Sequence, residues 1–308
     1  MNRSTGMPSA TSARETGLGI HMELVPPCGD AATLATTFFV VRTSQDHLRD
    51  IQPASIGALV IMAGGAGSVH FGDGRKEASH QLMLVSPTTA STTFEVKGQW
   101  HAFGAMLSPV GWAGLTGLHA ADHRNRVMDA RDHLAPALVH ACDHILRNFG
   151  RLPVDELSTL FSNALLAATQ PIPARHLQFI ETVSAWLARS LSPDAELLKE
   201  ETGYSMRQVQ RLSERYFGHP PRGVARKYRA LRAAVILSRP NLTADEIAAV
   251  QDHFYDQPHM IREIRHFAGR TPARMAGPDT PYLSQFMHLR DFRDHGSRIA
   301  PIPEDIRV

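Results

Sequence analysis

Cysteine is scarce in this chain: only Cys28 and Cys142 occur in 308 residues. Two thiols cannot build a disulfide framework or a cysteine-based zinc site, and they suit a reducing cytoplasm. Neither has the basic neighbours that mark a reactive thiol, so no redox role is read into them. Long apolar runs are also missing. No stretch approaches the length that crosses a bilayer, so a globular protein without a membrane partner is expected. Residues 1–17 lack the apolar stretch of a secretory signal and read as a flexible lead-in. A serine nucleophile elbow, a P-loop and a dinucleotide fingerprint are absent as well. Gly64–Gly67 (GGAG) reads as a turn, because no helical pattern follows it to make a phosphate cradle. No catalytic residue and no cofactor are expected, and the chain is not read as an enzyme.

What is present is charge, unevenly spread. From Tyr204 to Met275 there are 13 Lys/Arg against 6 Asp/Glu, a local net of +7 in a chain whose total is +2. The remainder therefore carries −5. A basic C-terminal segment on an acidic remainder is the electrostatic footprint of a nucleic-acid binder.

The texture changes twice along the chain. From about residue 20 to 120, short apolar runs recur: Phe38–Val41, Ala58–Met62, Gln81–Val85, Thr92–Val96 and His101–Leu107. Breakers such as Gly72-Asp73-Gly74 and Ser86-Pro87 separate them, which predicts an antiparallel sandwich or barrel. Residues 126–190 turn helical, with apolar side chains three and four apart at Leu134, Leu138, Cys142 and Ile145, then Leu157, Phe161 and Leu165. Residues 192–276 are helical and basic. The expected class is α+β, divided as follows: 1–19 flexible, 20–125 a β-barrel sensor-like domain, 126–175 a helical linker and dimerisation region, 176–276 a helical DNA-binding domain, and 277–308 a tail without assigned function.

The basic zone holds two helix-turn-helix units. Asp194 can cap a short helix over 195–201, and Gly203 supplies the reversal. Ser205 opens the next helix with Gln208 completing a capping box. Met206, Val209, Leu212 and Tyr216 then share the core side, leaving Arg207, Gln208, Gln210, Arg211 and Arg215 for DNA. Arginine and glutamine suit bidentate contacts with guanine and adenine edges in the major groove. In the second unit Thr243 and Glu246 repeat the capping box, and Pro258 stands in the first turn of a second recognition helix. Ile261, Ile264 and Phe267 form its buried stripe, with Gln257, His259, Arg262 and Arg265 as its candidate DNA contacts. Between the units, Pro221–Ser238 reads as one helix of about 27 Å. That length suits entry of the two units into successive major-groove segments. Arg226 and Lys227 on it are expected at phosphates.

The stretches TGYSMRQVQRLSERYFGHPPRGVARKYRALRAA and IAAVQDHFYDQPHMIREIRHFAGRTPARM resemble the AraC/XylS family of transcription regulators. The resemblance covers about 85 residues. It implies a seven-helix DNA-binding domain, with base reading at Arg207, Gln210 and Arg211 and near His259, Met260 and Arg262. Three residues depart from the pattern. Ser213 stands where the family places a large aromatic, Gln251-Asp252-His253 replaces a glycine-bearing turn, and Met260 replaces a residue that is often aromatic. Asp and His can adopt the left-handed conformation such a turn needs, less comfortably than Gly. The N-terminal zone resembles, more weakly, the cupin-like sensor half of such regulators.

That resemblance implies a small-molecule effector, a promoter as the double-stranded DNA partner, RNA polymerase as a further partner, and a homodimer. Phe38, Phe71, Phe94, Trp100 and Phe103 are the candidate pocket residues, although aromatics in a small barrel are more often simply core. His70, His80 and His101 lack the His-x-His pair and carboxylate of metal-binding cupins, so no metal is expected. The leading expectation is a sequence-specific, effector-controlled transcription regulator in the cytoplasm. The rivals are a metal-dependent cupin enzyme fused to a DNA-binding domain and an effector-independent DNA-binding regulator.

Overall fold

The computed structural model describes residues 19–239, 241–275 and 279–288. The expected lead-in and the tail beyond residue 288 lie outside the described residues. Among the described residues, eight strands form one antiparallel sheet: β1 (Ile20–Val25), β2 (Ala35–Thr43), β3 (His47–Gln52), β4 (Ala58–His70), β5 (Lys76–Ala78), β6 (Leu82–Val85), β7 (Thr92–Leu107) and β8 (Val127–Asp129). The path runs β1-β2-β7-β4-β6-β8, with β3 also on β7 and β5 also on β4. Strands β4 and β7 dominate because both are long enough to bend and serve the sheet twice. Thr92–Val96 and His101–Leu107, expected as two strands, are one strand bent around Gly98, whose φ is +78°.

The expected turn at Gly64–Gly67 is likewise strand. The register of β4 against β7 slips on both sides of Gly64, and Gly65 takes φ +75°. A Cβ on Gly67 would lie 1.8 Å from the Glu95 carbonyl oxygen. These glycines let two backbones approach at a bulge rather than reversing the chain.

Alternation along the strands sorts side chains into two cores. Phe38, Val40, Leu59, Ile61, Phe103 and Ala105 face outward under two helices, α2 (Pro136–Asn148) and α3 (Val154–Ala168). Phe38, Phe103 and Phe161 close that layer with centroids 5.1–6.0 Å apart. Val41, Val60, Met62, Phe71, Phe94, Trp100 and Ala102 face the barrel interior. The five candidate pocket aromatics are therefore divided. Phe71, Phe94 and Trp100 belong to the interior, while Phe38 and Phe103 are core beneath α3, a correction that follows from the parity of their positions.

A short helix, α1 (Pro109–Thr116), leads out of β7 with Ser108 as its cap. The C-terminal half contains α4 (Ala174–Arg189), α5 (Ala195–Thr202), α6 (Met206–Phe217), α7 (Pro221–Leu237), α8 (Ala244–Gln251) and α9 (Gln257–Ala268). The Trp186 indole fastens α4 to the Asp194 carbonyl at 2.7 Å. Within the segment 277–308, to which no function was assigned, residues form α10 (Pro281–His288), which packs on β1 and β3. Its eight residues were too short for periodicity to reveal a helix.

Candidate nucleic-acid interface

The first unit is built as its sequence suggests. Asp194 caps α5, and Gly203 ends it with φ +65°, a conformation that costs glycine nothing. Ser205 and Gln208 make a reciprocal capping box at the start of α6. Val209, Leu212, Tyr216 and Phe217 are buried, which leaves Arg207, Gln208, Gln210, Arg211 and Arg215 exposed. Among the described residues, Arg207, Gln210 and Arg211 show no hydrogen bond or ion pair. The Gln208 amide oxygen is committed, because it accepts from both the amide and the hydroxyl of Ser205. Arg215 lies over the Tyr216 ring at 5.7 Å. The Tyr216 hydroxyl meets His176 Nδ1 at 2.7 Å. Burial, then the charges of Arg215 and Arg211, hold His176 below its ordinary pKa. Ser213 is fully buried and its hydroxyl has no partner, so Phe217 and Tyr216 supply the aromatic packing there.

The second unit uses its charges differently. Thr243 and Glu246 cap α8 reciprocally, and Asp256 caps α9 through the His259 amide at 2.6 Å. The turn between them has no left-handed residue. Asp252 is right-handed, with φ −59°, and the amides of His253 and Phe254 bond back to Val250 and Gln251. These backward bonds reverse the chain without the left-handed Asp or His that was expected. Gln257, Arg262 and Arg265 are exposed. His259 is half-buried with Nε2 3.3 Å from the Glu263 carboxylate. That carboxylate, itself buried, also accepts from Arg226 Nε at 2.5 Å and from Arg229 at 2.7 Å. Glu263 thus binds α9 to α7.

Of the two expected phosphate contacts, Arg226 keeps solvent access but gives Nε to Glu263. Lys227 is placed elsewhere: it is completely buried, its Nζ donates to the Ser55 carbonyl at 3.2 Å, and burial pushes it down to about 8. Arg232, also interior, donates to the Ser190 carbonyl at 3.1 Å. Two of the 13 basic side chains counted in this zone therefore face inward, and the count overstates the DNA-facing charge.

Both recognition helices are held at the same end. A helix leaves its last four carbonyls without intrahelical partners. The carbonyls of Glu214 and Arg215 on α6 accept from the amides of Ala121 and Ala120, at 3.1 and 2.9 Å. Those of His266 and Phe267 on α9 accept from Ser91 and Ala54, at 2.9 and 2.8 Å. The donors lie in N-terminal-half loops that are themselves joined. Asn125, in a left-handed conformation, accepts from the Thr89 amide at 2.9 Å, and its own amide reaches the Pro87 carbonyl at 3.0 Å. His219, at the edge of this bracket, is pushed down to about 3 by burial first and then by the Lys227 charge.

Beside the bracket lies a cavity of about 460 Å³ walled by both halves, with Thr36, Ser55 and Met106 on one side and Ile180, Lys227 and Leu231 on the other. A smaller cavity of about 90 Å³ lies within the barrel, against Phe94, Trp100 and Tyr282. Phe38, Phe71 and Phe103 line neither. Among the described residues, no group of three His, Cys, Asp or Glu side chains could hold a metal, and no helix is long and apolar enough to cross a membrane. His70 bonds to Ser68, His80 faces Asp129, and His101 stacks near Phe149, three separate places.

Residues 198–277 match the model of a helix-turn-helix domain family. No curated protein matches the chain. Among solved structures, ToxT from Vibrio cholerae is similar at 10% identity, over 81% of this chain and 97% of that one, with a TM-score of 0.45. ToxT bound to an unsaturated fatty acid is similar at 9% identity, over 74% and 94%, with a TM-score of 0.41. The AraC-like transcriptional activator CuxR is similar at 13% identity, over 64% and 75%, with a TM-score of 0.30. The matched segment contains both capping boxes, both recognition helices and the α7 connector, and residues 198–277 are a helix-turn-helix domain.

Proposed function

We propose that the chain is a sequence-specific transcription regulator that reads a promoter chiefly through α6 and is controlled by a small molecule acting on the contact between its halves. The carrying observation is the face of α6: Arg207, Gln210 and Arg211 are exposed and engaged by nothing else in the described residues, at the spacing that shares one helix face. Arg262, Arg265 and Gln257 on α9 add a second reading surface. Arg226, whose side chain stays about half exposed beside Glu263, is a phosphate contact.

The effector site is the cavity between the halves. Its wall is mostly apolar; among the described residues its charged groups are Glu181 and Lys227, and the buried Lys227 has a single carbonyl partner. An apolar molecule with an acidic head fits that chemistry, because the head gives Lys227 the counter-charge that burial otherwise denies it. Leu160 and Leu166, exposed on α3, are the dimer face. The protein works in the cytoplasm, on DNA and beside RNA polymerase.

The test uses the full chain. Its operator is selected from a random duplex pool, and binding to operator and scrambled duplex is titrated across salt concentrations. Operator preference and a steep inverse salt dependence are expected. A well-folded protein that ignores DNA at low salt ends the reading.

A further inference from the structure

The interior of the barrel is closed by a side chain from the far end of the chain. Tyr282, on α10, is buried with its ring 5.0 Å from Phe94 and 5.6 Å from Trp100, and its hydroxyl donates to the Gln52 side-chain carbonyl. The helix carrying it is anchored at its N-terminus by a buried carboxylate. Asp50, on β3, accepts from the amides of Tyr282 at 2.7 Å and Leu283 at 3.2 Å. A helix N-terminus favours an anion there, and these two bonds satisfy amides the helix cannot satisfy itself. Trp100, in the same wall, has a buried indole N–H without a partner.

Three features distinguish this from ordinary core packing. First, the space left beneath Tyr282 is about 90 Å³, too small for a ligand of several rings, yet withdrawal of the phenol would enlarge it by a whole ring. Second, the docking chemistry is that of a ligand site: an aromatic slot, one acceptor for a hydroxyl, and an unused donor. Third, the occupant sits on the next α-helix after α9 among the described residues. The segment just after α9 also touches the barrel at Gly269, where an added Cβ would lie 2.3 Å from Ile51 Cγ2. Movement of α10 thus bears on how α9 sits against the N-terminal half.

We propose that the barrel is a ligand site blocked from within: Tyr282 holds the place of a phenolic small molecule, and α10 is a latch that such a molecule displaces. The ligand class is a single ring with a hydroxyl for Gln52 and an acceptor within reach of the Trp100 N–H. This site adjoins the Lys227 cavity, with which it shares Gln52, Ser55 and Met106, but it is lined by its own aromatic slot and does not depend on the DNA-binding reading. A ligand that must compete with a docked segment binds more weakly by the fraction of chains in which the segment is open.

The probe is p-cresol, the tyrosine side chain as a free molecule, added to the full chain. Hydrogen exchange of residues 281–288 should rise severalfold at saturating p-cresol while exchange in α2 and α3 stays constant. Tyr282→Ala removes the competitor, and p-cresol should bind it at least about tenfold more tightly, as expected when more than nine chains in ten are latched. Tyr282→Phe loses only the hydroxyl bond and serves if the alanine variant fails to fold. It should bind p-cresol a few-fold more tightly than the unaltered chain. Equal p-cresol affinity in the unaltered chain and the folded variants, or binding with no change in exchange at 281–288, overturns the proposal. None of these readouts involves DNA, so failure here leaves the DNA-binding reading to its own test.

Discussion

The two helix-turn-helix units share a plan and differ in where their charge goes. In the first, the recognition helix leaves Arg207, Gln210 and Arg211 without internal partners, and its turn is a single left-handed glycine. In the second, the buried Glu263 engages Arg226 and Arg229 of the α7 connector and His259 of its own helix, and the turn is right-handed at Asp252. The first unit's cations stay outward, whereas the second is tied to the connector by a buried carboxylate that takes two of α7's cations. Similar local sequence therefore does not mean similar availability to DNA. The comparison can be broken at four points.

The largest effect is expected at Glu263. Glu263→Gln leaves two guanidinium groups without their shared counter-charge. Loss of a partner from a buried pair costs about 3–5 kcal/mol, and here about 2–3 because Arg226 reaches solvent. Chemical denaturation should show that loss, whereas Arg215→Ala in the first unit should cost under about 0.5 kcal/mol, as an ordinary surface change does. Equal costs would mean that the second unit is not held together by its charges.

Base reading comes next. A bidentate arginine–guanine contact is worth about 1–3 kcal/mol of discrimination. Arg211→Ala should weaken operator binding by that amount while binding to scrambled duplex changes little. Arg262→Ala should lose less than Arg211→Ala. Titration of both variants on both duplexes decides the matter. A loss at Arg211 that is equal on the two duplexes would assign that side chain to phosphate.

Much of this difference was hidden from the sequence, for physical reasons. Caps, turns and helix faces are local, so Ser205/Gln208, Thr243/Glu246 and Gly203 could be read directly. The two-layer sorting of aromatics needs strand parity across a sheet, so sequence alone does not separate Phe38 and Phe103, core beneath α3, from the interior aromatics. Lys227 looked like one more cation on a basic helix, since nothing local tells which face of α7 meets the other half. Its depth is a long-range fact, fixed by the Ser55 carbonyl 172 residues away. The α10 latch was missed for the same reason: its partners Asp50 and Gln52 lie more than 200 residues earlier.

The bracket that holds both recognition helices should be sensitive to acid. His219 is held neutral, with its pKa pushed down to about 3 from 6.5. The unfolded chain binds that proton first, so the group's contribution is complete above pH 6.5 and is lost as pH falls toward 3. Asp50 opposes it, because burial raises its pKa to about 6 and the folded chain gains between pH 6 and 3.8. The difference between unaltered chain and His219→Gln therefore reads His219 alone. The thermal midpoint of the unaltered chain should fall more than that of the variant between pH 7 and 5. Parallel curves would remove His219 from the account.

The smallest effect concerns the two turns, and it separates their mechanisms most sharply. Gly203 sits at φ +65°, where a Cβ is strained, so Gly203→Ala should cost about 1–2 kcal/mol. The corresponding intuition for the second unit is that glycine at Asp252 would relieve a strained turn and raise stability. The backbone says otherwise. Asp252 lies at φ −59°, ψ −19°, inside the right-handed region, and its amide still bonds to Ala248. Glycine there gains no steric relief and loses more conformational freedom on folding. Asp252→Gly should therefore lower stability by about 0.5–1 kcal/mol, measured by denaturant midpoint at unchanged slope. A gain in stability would show that the second turn visits the left-handed conformation after all, and the two units would then reverse direction by the same device.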